Sequence, residues 1–137
     1  GVVASLYAAA YPDRVHKLLL IFPAFVLFDD AKETYRELGS PDFDQLPDSL
    51  THHNITLGKI YLIDALDIDI RAEQAKITTP TLIIHGTDDA VVPYQYAVQA
   101  NQTIPNAELV TVEGGEHRID ERFAITAAPT IQKFLKE

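Results

Sequence analysis

The sequence predicts an α/β protein: a parallel sheet with helices packed on it. Three observations carry that expectation. Residues 16–22, HKLLLIF, and 79–86, TPTLIIHG, hold apolar runs without polar alternation, the pattern of strands buried on both faces. A third strand pattern, AELVTVEGG at 107–115, follows the second after an intervening helical stretch. Strands that alternate with helices favour parallel pairing, and right-handed crossovers then place helices on both faces.

Each element has its own local reason. Residues 1–11 are small and apolar with strong helix formers, and Pro12 and Asp13 end that helix. The strand at 16–22 follows. DAKETYREL (30–38) predicts a short helix stopped by Gly39. The turn-rich GSPDFDQLPDS and then NITLGKIYLIDALDIDI show no αβ rhythm and read as an insertion over the sheet. From residue 76 the pattern sharpens. The strand at 79–86 leads to a helix at 93–105 with Pro at its start. The strand at 107–115 runs into paired glycines, and a C-terminal helix spans 119–137 despite Pro129. Three segments are therefore expected: core at 1–26, insertion at 27–76, core at 77–137.

Composition narrows the function. The 137 residues suit one domain, and 47% apolar with 23% charged residues suit a soluble globular protein. A net charge of −9 without any basic run argues against nucleic-acid or anionic-membrane partners. No apolar stretch is long enough to span a bilayer. The start lacks the basic region of a signal peptide. The absence of Cys excludes disulfides and thiolate chemistry and fits a reducing, cytoplasmic setting. The first residue is not Met, and no Ser, Thr or Asp caps the first helix, so the chain reads as joined part-way through an element.

Two strand ends could carry chemistry. In LIIHGTDDAVVP a buried strand ends at Gly86, and Asp88 and Asp89 follow. In LVTVEGGEHRI another ends at Gly114 and Gly115, and His117 follows. Parallel sheets place their sites outside the carboxyl ends of the strands, where an Asp and a His on neighbouring ends can meet. A carboxylate on imidazole Nδ1 fixes the tautomer and leaves Nε2 free as a general base. Each residue has a plainer reading alone, Asp as a turn or capping residue and His as a surface residue. Their joint occurrence, each just past an apolar strand, favours the catalytic one.

HGTDDAVVP and GGEHR resemble the acid and histidine segments of α/β-hydrolases. The family pattern H-G-x-x-D-x-x-V-P matches His85, Gly86, Asp89, Val92 and Pro93. The resemblance puts the acid on Asp89 rather than Asp88 and the general base on His117. The family order of Ser, then acid, then His agrees. It implies the C-terminal part of an α/β-hydrolase fold with a cap insertion. The family's nucleophile sits in G-x-S-x-G on a strand-to-helix turn, followed by a small-residue helix. Residues 1–15 resemble that helix, so Gly1 is expected to close the elbow or lie directly beyond it, with the nucleophile upstream. No G-x-S-x-G occurs in the 137 residues. Ser5 sits among apolar helix residues, and Ser40 and Ser49 lie in irregular stretches; none has elbow glycines around it.

The stretches FPAFVLFDDA (22–31) and ITLGKIYL (55–62) resemble the cap of bacterial feruloyl and cinnamoyl esterases. That resemblance implies a polar pair holding the phenolic hydroxyl of the acyl group, on Asp30 and Tyr61, with Asp29 the neighbour one register away. The plainer readings are Asp30 as an N-cap for a helix starting at Ala31 and Tyr61 as a core aromatic. His85 is expected to support the Asp89 loop. His16, His52 and His53 read as non-catalytic, and Asp64, Asp67 and Asp69 as a solvated acidic face rather than a calcium loop. No metal or cofactor is expected.

The leading expectation is a serine carboxylic-ester hydrolase acting on a small-molecule ester, with a feruloyl or cinnamoyl ester as the implied class. A lysophospholipase or monoglyceride-type esterase is the alternative within the class. A non-catalytic truncated interaction protein is the alternative outside it. The strand at 16–22 would form an exposed sheet edge, so these residues alone are expected to be poorly soluble or to form homo-oligomers.

Overall fold

The computed structural model describes residues 1–52 and 55–137. It groups them into two units, Gly1–Phe25 with Ile70–Glu137, and Val26–Asp69. The first unit holds a parallel sheet of β1 (Leu18–Ile21), β4 (Thr81–Gly86) and β5 (Ala107–Val112), in the order β1-β4-β5. Residue Leu18 pairs with Thr81, and Thr81 with Ala107. The middle strand, β4, is buried at every residue, which explains its unbroken apolar run.

Alternation divides the strand residues between two faces. Leu82, Ile84 and Val112 pack with Phe123 and Ala127 of α6 (Glu121–Lys136), joined by Leu19, Ile21 and Val110. The other face, with Leu18, Leu20 and Ile83, is left for α1 (Val2–Ala10) and α5 (Gln95–Thr103), with α4 (Ile70–Ala75) packed between these two helices. Residues 70–76, read from sequence as the end of the insertion, thus fall in the first unit because α4 packs on α1 and α5.

Helix α6 runs through Pro129. Proline leaves the carbonyl four residues earlier without its helical partner. That residue, Ile125, is 70% exposed, so water can take the bond. At its start, the Asp120 carboxylate accepts the Phe123 N–H at 2.9 Å.

The second unit contains α2 (Leu27–Glu37), a hairpin of β2 (Ser49–His52) and β3 (Ile55–Gly58), and α3 (Lys59–Asp67). Helix α2 turns Phe28 and Ala31 inward, α3 turns Leu62 and Ala65 inward, and the two helices pack together. Gly39 at φ +81° ends α2 as its sequence position implied. The hairpin and α3 were not legible in the irregular stretch 40–69. The acidic residues Asp64, Asp67 and Asp69 are exposed. The surface reading of His52 and His53 falls outside the described side chains.

Candidate active site

The ends of β4 and β5 are stitched together by hydrogen bonds between their loops. The Thr87 N–H donates to the Val112 carbonyl at 3.1 Å, and the Asp88 N–H donates to the Gly115 carbonyl at 2.9 Å. The Gly114 N–H donates to the Thr87 hydroxyl oxygen at 2.8 Å. Glycine is required here twice. A Cβ on Gly86 would lie 2.1 Å from the Gly115 carbonyl oxygen, and Gly114 has φ +64°, in the left-handed region. The Arg122 guanidinium donates to the Gly114 carbonyl and holds this turn from α6.

This stitching brings Asp89 and His117 together across 28 residues of sequence. The His117 Nδ1 lies 2.7 Å from Asp89 Oδ2. The other carboxylate oxygen, Oδ1, accepts the N–H groups of Val91 at 2.9 Å and Val92 at 2.8 Å. Asp89 is only 6% exposed, whereas Asp88 is exposed and meets the Thr87 hydroxyl. Burial pushes the Asp89 carboxyl up, but the Val92 N–H, the His117 imidazole and the Val91 N–H together outweigh it, so the group sits below its usual 3.8.

The carboxylate serves a second imidazole. His85 Nε2 lies 3.1 Å from Asp89 Oδ2 and 2.9 Å from the Val92 carbonyl oxygen. Both neighbours are acceptors, so Nε2 carries the proton. Among the described residues its buried Nδ1 has no partner. His85 therefore acts as a strut between the carboxylate and its own loop. The sequence placed it beside this loop; only the fold shows that it contacts the carboxylate itself.

The His117 side chain is 35% exposed, and among the described residues its Nε2 has no hydrogen-bond partner. An Nδ1-anchored imidazole with a free Nε2 can take a proton from a hydroxyl and return it to a leaving group. Phe22, which sequence reasoning passed over, packs its ring 5.1 Å from the His117 ring, centroid to centroid. No motif marks it, because its contact with His117 depends on where β1 ends relative to β5.

Ser5 is buried, and its hydroxyl donates to the Gly1 carbonyl at 2.9 Å, which fits a packing role. Gly1 itself is close-packed: a Cβ there would lie 2.9 Å from Pro23 Cα. In the second unit, Asp30 and Tyr61 both line one cavity of about 130 Å³ with Leu27, Leu50, Leu57 and Leu62. Two of the plainer readings fail there. Asp30 lies inside the first turn of α2, because that helix begins at Leu27 and not Ala31, so it is no N-cap. Tyr61 is 43% exposed and is no core aromatic. No group of three or more potential metal ligands occurs among the described residues. Among them, no helix is long and apolar enough to cross a membrane.

The sequence profile of the α/β-hydrolase family described as TAP-like protein matches residues 67–137, just over half of the chain and the stretch holding both Asp89 and His117. The chain belongs to this α/β-hydrolase family. Among curated relatives, RutD of Stutzerimonas stutzeri, whose name proposes a carbamate hydrolase, is 40% identical over 70 residues. That match covers 50% of this chain and 26% of RutD. The non-heme chloroperoxidase CPO-A1 of Kitasatospora aureofaciens is 41% identical over 64 residues, 45% of this chain and 23% of that protein. Among solved structures, Est1E of Butyrivibrio proteoclasticus superposes with a TM-score of 0.81 at 28% identity, covering 99% of this chain and 58% of Est1E. A second Est1E structure, with ferulic acid bound, gives 0.80. This α/β-hydrolase chain thus spans about a quarter of its curated relatives and somewhat over half of Est1E.

Proposed function

We propose that this chain supplies the acid–histidine part of a serine carboxylic-ester hydrolase of the feruloyl or cinnamoyl type, with its nucleophilic serine upstream of Gly1. The observation that carries the reading is the 2.7 Å bond from His117 Nδ1 to the buried Asp89 carboxylate, which leaves Nε2 open. In this reading Nε2 removes the serine hydroxyl proton as the oxygen attacks the ester carbonyl. The carboxylate of Asp89 holds the imidazole in the Nδ1–H tautomer and offsets the charge of the imidazolium. His117 then passes the proton to the departing alcohol. Water, deprotonated by the same nitrogen, attacks the acyl-serine, and His117 returns that proton to the serine oxygen as the acid is released. The close approach of Gly1 to Pro23 supports an elbow glycine at the start of α1.

The likeness to Est1E along nearly the whole chain supports an ester substrate with an aromatic acyl group. In this reading the cavity of the second unit, a cap, takes the aromatic end of that group. Its apolar wall suits the ring, the Asp30 carboxylate can accept a phenolic O–H, and the Tyr61 hydroxyl can donate or accept.

The test is an assay of the protein as its gene encodes it on methyl ferulate, a short-chain acyl ester and a simple carbamate. Faster turnover of methyl ferulate, lost in His117→Ala, supports the reading. Turnover of the carbamate alone would overturn the ester assignment, and activity surviving His117→Ala would overturn the base.

A further inference from the structure

Phe22 closes β1 with φ 45°, in the left-handed region that bulky aromatic residues rarely enter. Conformations of this kind persist only where the surroundings over-determine them. Here two anchors do so. The Phe22 N–H donates to the Ile84 carbonyl at 3.0 Å, extending the ladder between β1 and β4. The ring meets three others: His117 at 5.1 Å and 43°, His85 at 5.9 Å and 89°, and Phe123 at 5.4 Å and 57°.

The strain has a geometric consequence. In an extended strand, side chains alternate, so a residue after Ile21 would return to the face of Leu18 and Leu20. Ile21 packs toward α6, and so does the Phe22 ring, which joins the cluster of Val112 and Phe123. The left-handed residue thus puts two consecutive side chains on one side. Two of the three rings it then reaches are the imidazoles that share Asp89 Oδ2.

We propose that Phe22 is a positioning residue for His117. Its left-handed backbone carries the ring to the α6 side of the sheet end, where it forms the seat that holds the imidazole against Asp89. The inference rests on the reading of His117 as the general base. The charged groups nearby are otherwise engaged: Asp89 by both imidazoles and two backbone N–H groups, and Arg118 by Glu116 and Asp120. Among the described residues, the Phe22 ring is the aromatic neighbour that packs on His117.

The experiment uses the protein as its gene encodes it, with Phe22→Leu and Phe22→Tyr. In the unaltered protein, proton NMR should show cross-relaxation between the Phe22 ring and the His117 ring protons. It should also show a low-field proton from the Nδ1–H bonded to Asp89. Phe22→Leu should broaden or lose the low-field proton and lower kcat on the assay ester roughly three- to tenfold, with KM unchanged. Phe22→Tyr, which keeps the ring, should restore both. An unaltered protein without the cross-relaxation overturns the proposal even if Phe22→Leu fails to fold. A folded Phe22→Leu with normal kcat and low-field proton also overturns it. If no ester is hydrolysed, the low-field proton still reads the effect of Phe22, so failure of the activity and failure of the seat are separable.

Discussion

Replacing Gly86 by alanine puts a methyl group 2.1 Å from the Gly115 carbonyl oxygen, 2.4 Å from its carbon and 2.9 Å from its Cα. All three are backbone atoms, so no side-chain rotation relieves the clash. The φ of Gly86 lies outside the left-handed region, so the effect is contact alone. Ordinary contact requires the two strand ends to part by more than about 1 Å. The Asp88 N–H to Gly115 bond lies directly in that path. His117 follows Gly115 by two residues and Asp89 follows Gly86 by three, so the separation falls on their 2.7 Å bond. Overpacking of this kind costs about 1–3 kcal/mol of stability, and a lost hydrogen bond adds about 1 kcal/mol. A misplacement near 1 Å in a catalytic group costs on the order of 100-fold in rate. The expected result for Gly86→Ala is a lower melting temperature, loss of the low-field His117 proton and a kcat down by about two orders of magnitude. Normal turnover with the low-field proton intact would show that the glycine contact does not set the spacing of Asp89 and His117.

Asp89→Asn should preserve the fold but present an amide N–H to His117 Nδ1, forcing the wrong tautomer. kcat should fall on the order of 10⁴-fold with a nearly unchanged circular dichroism spectrum. Because the folded carboxyl of Asp89 titrates below 3.8, its contribution to stability is complete above about pH 4 and vanishes as the pH falls through the folded value. The stability difference between the unaltered protein and Asp89→Asn should therefore shrink as the pH falls below about 4 in denaturant titrations; a constant difference contradicts the linkage. Tyr61→Phe and Asp30→Asn should each reduce the preference for methyl ferulate over methyl cinnamate, which lacks the phenolic hydroxyl, by roughly tenfold. Equal rates on the two esters in the unaltered protein would remove the cavity from the account.

The core of the first unit was readable from local pattern. Unbroken apolar runs gave β1 and β4, and Gly or Pro at their borders gave the ends. The Asp89 and His117 motifs were readable too, because both residues lie just beyond strands whose type is unambiguous. The second unit was less readable. Its hairpin pairs strands of only four residues each, and every residue of β3 is exposed. Such strands leave little hydrophobic periodicity to detect. α2 begins at Leu27, three residues before the expected start, since Phe28 and Ala31 bury its inner side without any capping residue to announce it.

What the sequence by itself determined is the set of parallel strands and their neighbouring helices, with Asp89 and His117 just past two of those strands, because each depends on residues close together in the chain. What the tertiary structure decided is every relation across the chain. The clearance between Gly86 and Gly115, the second imidazole on Asp89 Oδ2 and the turn of Phe22 toward His117 all arise where β1, β4 and β5 end side by side. A left-handed residue or a missing Cβ has meaning only once the neighbouring strand is in place, and that neighbour is distant in the chain, as the pairing of Leu18 with Thr81 shows.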